Sequence, residues 1–132
     1  MSILYNAIQR HNPNDANAPK KWYLILKRLK LRRTLDIAKA ISDETTLNPK
    51  EAEMALYQLH KVLLRYLMDG NTVELGDLGT FQLSVNSSGV SQEEDVTPNL
   101  VKKINLHFIP STEVREAINK ATFIPAKSLL HK

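Results

Sequence analysis

Seven of the fourteen residues between Lys20 and Arg33 are cations: Lys20, Lys21, Lys27, Arg28, Lys30, Arg32 and Arg33. Side chains of this kind contact phosphates and give affinity for a polyanion without reading its sequence. Trp22 and Tyr23 lie among them and offer faces on which a base could stack. The net charge of +4 is mild, but it is unevenly spread. Residues 1–34 carry a net +7, residues 35–70 a net −2, residues 71–101 a net −5 and residues 102–132 a net +4. A chain that is basic at both ends and acidic in between invites a search for a polyanionic partner.

Other chemistries leave no such trace. The chain has no cysteine, which excludes disulfides, thiolate metal sites and a cysteine nucleophile. Its histidines, at 11, 60, 107 and 131, do not fall at metal-ligand spacing. His60 reads as a partly exposed helix residue and His107 as one on the polar face of a strand. The sequence GDLG (76–79) lacks the lysine and following helix of a phosphate loop. An enzyme would need convergent polar groups in a pocket, and the sequence marks none, so no catalysis, cofactor, metal or small-molecule substrate is expected. No segment approaches a membrane-spanning length. The start, MSILYNAIQRHNP, lacks the pattern of a signal peptide, and a cytoplasmic protein is expected.

The elements that must position these residues follow from periodicity. ILYNAIQR (3–10) reads as a strand, HNPNDANAP (11–19) as a loop, and residues 22–32 as a second strand, on the alternation of Leu29 and Leu31 with Arg28, Lys30 and Arg32. Thr34 is placed to cap a helix over TLDIAKAISDET. The clearest helix follows Asn48, with Pro49 in its first position, Glu51 three residues after the cap, and Gly70 as its C-terminal left-handed residue. Its stripe of Leu56, Leu59, Leu63 and Leu67 is long for a small protein to cover alone and suggests a partner helix from a second subunit.

Two short alternating runs then flank GDLG: Val73 and Leu75 before it, Phe81, Leu83 and Val85 after it. They read as a hairpin, with glycine supplying a positive φ at the turn or room for a close neighbour. The acidic stretch VSQEEDVTPN (90–99) reads as a loop or extended arm. VKKINLHFIP (101–110) is a third strand, with Ile104, Leu106 and Phe108 on one face. Ser111 caps a last helix over STEVREAINKATF, and the tail after Pro125 is expected to fray.

The run GNTVELGDLGTFQLS resembles the signature region of the bacterial histone-like HU family, in which a G-x-x-V-x-L-x-x-x-G-x-F pattern closes the hairpin below the DNA-embracing arms. Gly70, Val73, Leu75, Gly79 and Phe81 carry the match. FIPSTEVREAI is similar to the segment that ends the third strand and opens the terminal helix. The resemblance covers roughly residues 34–123. Together with the preceding basic segment, the layout is similar to that of an HU-related subfamily of gut and oral anaerobes.

The resemblance implies an α+β, HU-like (IHF-like) fold: a helical N-terminal half, a three-stranded antiparallel sheet with a β-arm, and a C-terminal helix, here with extra N-terminal strands. It implies three segments: a basic β extension at 1–33, an HU-like domain at 34–124 and a flexible tail at 125–132. It also implies an intertwined homodimer with Leu56, Leu59, Leu63, Leu67 and Phe81 in its core, binding double-stranded DNA with little sequence preference at the nucleoid. Such proteins reach into the minor groove and insert apolar wedges. The family's arm carries basic residues and an Arg-Asn-Pro tip. The corresponding stretch here, SSGVSQEEDVTPNL, has no Arg or Lys, carries Glu93, Glu94 and Asp95, and has Pro98 as its one proline.

The expected DNA contacts are therefore Lys20, Lys21, Lys27, Arg28, Lys30, Arg32 and Arg33, with Lys102 and Lys103 at the arm base and a weaker wedge role for Pro98. The basic cluster could instead be a solvated strand face paired with the acidic arm of the same dimer. The matching alternative is a protein–protein scaffold on an HU-like frame that has lost DNA binding. Where the charges fall in the structure separates the two.

Overall fold

A computed structural model describes residues 1–129. The chain begins with strand β1 (Ser2–Arg10), a loop, and strand β2 (Lys21–Leu26), paired antiparallel. The expected second strand to residue 32 ends at Leu26, and the register explains why. Tyr5 faces Leu26, so continuing the pairing would set Leu29 against Ser2 and leave Leu31 with no partner. One further bond, from the Lys27 N–H to the Leu4 carbonyl at 2.8 Å, closes the ladder. Residues 27–33 run on without regular structure.

Helix α1 (Thr34–Glu44) follows. Its cap is Arg33 rather than Thr34, which is already helical. The Asp36 carboxylate accepts the Arg33 N–H at 2.9 Å, so the reach comes back from the third helical position instead of forward from a hydroxyl. Helix α2 (Pro49–Met68) begins as its sequence requires. Asn48 accepts the Glu51 N–H at 2.8 Å, and its side-chain amide donates to the Glu51 carboxylate. At its far end the Gly70 N–H reaches the Leu67 carbonyl and the Asn71 N–H the Tyr66 carbonyl, both at 3.0 Å. This pair of bonds is the Schellman closure.

Strands β3 (Val73–Leu75), β4 (Gly79–Ser87) and β5 (Val101–Pro110) form an antiparallel sheet in that order. Its two turn-region glycines have different work. Gly76 adopts φ +44° inside the turn closed by the Leu78 N–H on the Leu75 carbonyl, in open space. Gly79, at φ +152°, lies under strand β5: a Cβ there would stand 2.4 Å from the Ile109 carbonyl oxygen and 2.7 Å from the Phe108 ring. Phe108 in turn stacks on Phe81, with ring centroids 4.9 Å apart.

Helix α3 (Thr112–Asn119) is capped by Ser111, whose hydroxyl accepts the Val114 N–H at 3.1 Å and donates to the Asp77 carbonyl in the hairpin turn. The expected helix through Phe123 stops at Asn119, tightened by short bonds to the Ala117 and Ile118 carbonyls. Thr122–Pro125 then forms strand β6, which pairs parallel to β1. The second sheet is thus mixed, in the order β2–β1–β6. Part of the expected frayed tail is structured: Ala126–Leu129 is a 3-10 turn with Ala126 buried, while residues 130–132 lie outside the described residues.

The architecture is α+β, with three α-helices and two small sheets among the described residues. Two units can be distinguished: Met1–Leu31 together with the chain from Ala117 onward, and Arg32–Glu116. Residues 117–124, expected with the HU-like segment, group instead with the N-terminal strands. In the second unit α1 packs on α2, yet only Ala38, Ala52 and Leu67 are buried apolar side chains there. Leu56, Leu63 and Phe81 are half-buried, and Leu59 is exposed.

Candidate nucleic-acid interface

Strand alternation sorts the hairpin sheet into two chemically distinct faces. On one, Phe81, Leu83 and Val85 stand opposite Phe108, Leu106 and Ile104. On the other, Gln82, Ser84 and Asn86 stand opposite His107, Asn105 and Lys103. The polar face is knitted across the strands. Ser84 Oγ lies 2.7 Å from His107 Nε2, and the Asn105 amide donates to Asn86 Oδ1 at 3.2 Å. These donors and acceptors, exposed at Ser84, Asn86 and His107 and half-buried at Gln82 and Asn105, form with one cation a surface able to contact sugars and phosphates.

Lys102 and Lys103, expected to act together, are separated. Asn86 pairs with Lys103 and Ser87 with Val101, so Lys102 is the extra residue of a bulge. Lys103 joins the polar ladder. Beyond the bulge, the Ser88 N–H on the Leu100 carbonyl (2.9 Å) closes a loop holding two 3-10 turns, Glu93–Asp95 and Pro98–Leu100. The acidic trio occupies the middle of this loop, and Pro98 stands near its closure instead. Among the described residues Glu93, Glu94 and Asp95 have no ion-pair partner.

The N-terminal cations are exposed throughout. Lys21 opens β2, Lys20 precedes it, and Lys27, Arg28, Lys30, Arg32 and Arg33 occupy the irregular connector. They therefore do not share a strand face, as their alternation had suggested. Instead they line a short extended stretch that leads into α1. Trp22 and Tyr23, adjacent in β2, project to opposite faces of the terminal sheet, across from Gln9 and Ile8 respectively.

Sequence reasoning missed the polar ladder as a surface. Its signal was present in the alternation of Thr80, Gln82 and Ser84, but the partner residues Asn105 and His107 are assigned to it only by register. Among the described residues no group of three or more His, Asp or Glu side chains is arranged to hold a metal, and no helix is long and apolar enough to cross a membrane.

Residues 1–125 match the family described as "HU domain fused to wHTH, Ig, or Glycine-rich motif". The chain belongs to this HU-HIG family. Among solved structures, it is similar to a Bacteroides vulgatus protein provisionally described as a bacterial DNA-binding protein, with a TM-score of 0.65 and 13% identity. That match covers 95% of this chain and 48% of the other, so the chain spans about half the length of that protein. No curated protein matches it in sequence.

Proposed function

We propose that the chain is a non-catalytic, histone-like DNA-binding protein of the nucleoid that acts as a homodimer and tolerates most sequences. The observation that carries this reading is the uninterrupted exposure of the cations from Lys20 to Arg33 in a chain of an HU-domain family. Lys103 adds a contact from the polar ladder. Such contacts give affinity but no base discrimination, and nothing in the ladder is a basic arm that would wedge a groove.

Self-association is supported by uncovered apolar surface. On α2, Met54, Tyr57, Leu64 and Met68 form an exposed stripe beside the stripe that holds the buried Ala52 and Leu67. A second copy is the covering this reading assigns to that stripe, while Leu59 lies on the opposite side of the buried one.

The acidic loop favours a second reading, a scaffold that has given up DNA, because carboxylates at its middle repel phosphates. Fluorescence anisotropy with two short labelled duplexes of unrelated sequence separates the two. The DNA reading expects similar affinity for both, falling steeply with salt. Absence of binding at low salt hands the case to the scaffold. Light scattering on the same samples gives the subunit count, and a mass of one chain would remove the homodimer.

A further inference from the structure

At the loop end of the terminal sheet, Arg10 and Lys21 stand directly opposite each other in the β1–β2 register. Like charges in this position destabilise a strand pair, and neither side chain has an ion-pair partner among the described residues. His11 and Asn12 follow Arg10 in the chain, and Tyr23 lies on the same sheet face two residues after Lys21. These five residues line a cleft of about 670 Å³, floored in part by the prolines of the loop. The loop is itself built, not slack. Asn12 Oδ1 accepts the Asn14 N–H and Asp15 Oδ1 the Asn17 N–H, both at 2.9 Å.

We infer that this cleft binds one unpaired nucleotide of a single-stranded nucleic acid, with its phosphate between Arg10 and Lys21 and its base against Tyr23. Three features of the cleft support this assignment together. Arg10 and Lys21 face each other and together present positive charge and N–H donors to an anion. The volume falls within the range of small-ligand sites and admits a nucleotide. The ring lines a concavity, and in a duplex both faces of each base are already stacked, so only an unpaired base can use it. The duplex surface proposed above shares Lys21 with this cleft and otherwise uses other cations, so the chain has two overlapping nucleic-acid sites of different preference. This inference rests on the proposed function's premise that nucleic acid is the partner, and Arg10 and Tyr23 are the residues that belong to it alone.

The test measures binding of a short fluorescent oligothymidylate and a short fluorescent duplex to the full chain and to two variants. Tyr23→Leu is expected to lower the single-strand affinity at least about fivefold relative to the duplex affinity, without changing its salt dependence. Arg10→Gln is expected to weaken single-strand binding and flatten its salt dependence while the free protein melts no lower than the parent, because a repulsion has been removed. Equal loss of both affinities in Tyr23→Leu, or no loss in either variant, overturns the inference. Duplex binding without single-strand binding by the parent overturns it and leaves the proposed function standing. A parent that binds neither overturns both.

Discussion

The hairpin sheet and the terminal sheet carry opposite relations between pattern and charge. The hairpin sheet holds the glycine and aromatic positions by which the HU-like pattern is recognised, Val73, Leu75, Gly79 and Phe81, yet it opens onto a loop with three carboxylates and no cation. The terminal sheet lies outside that pattern, yet it and the connector that follows hold seven of the chain's 18 Lys and Arg residues. In this chain the residues that fix the hairpin backbone and the exposed cations therefore lie in different segments. Gly79 is fixed by a collision that any Cβ would cause. The charge on a loop tip is under no such constraint, and phosphate contacts, being non-directional, can be supplied from another exposed segment.

Substitutions can break this contrast from either side. The largest expected effect is on the hairpin. Gly79→Ala should lower stability by roughly 3–5 kcal/mol, through a strained φ and a clash with strand backbone, measured by urea unfolding. Next is reversal of Lys27, Arg28 and Lys30 to Glu, which should weaken duplex binding on the order of 100-fold at low salt while leaving the melting temperature nearly unchanged. Gly76→Ala, in open space, should cost only about 1 kcal/mol, and the difference from Gly79→Ala isolates the close approach from the turn. Lys103→Gln should reduce duplex affinity a few-fold, on the order of one phosphate contact. The smallest effect is a gain: replacing Glu93, Glu94 and Asp95 by their amides should tighten binding by about twofold, since the loop repels but does not grip.

Much of the second unit was legible because its signals are local. Asn48, Pro49 and Glu51 fix the start of α2 within four residues, and the Phe81–Phe108 face follows from strict alternation on both strands. What was not legible depended on distant partners. Leu29 and Leu31 alternate with cations as a strand would, but the β1–β2 ladder closes at the Lys27–Leu4 bond. Thr34 has the hydroxyl of a cap, yet the Asp36 carboxylate serves the residue before it. TFIP is too short to announce a strand and becomes one only because β1 offers a free edge. Arg10 drew no notice in the sequence, because its neighbour Lys21 is brought to it by register alone.

The most direct test of the account is the salt dependence of duplex binding, compared between the parent chain and the Lys27, Arg28, Lys30 reversal. Each phosphate neutralised contributes about 0.9 to the slope of log affinity against log salt. The account predicts a steep slope for the parent and one shallower by roughly 2–3 for the variant. Equal slopes would show that the phosphate contacts lie elsewhere and would contradict it.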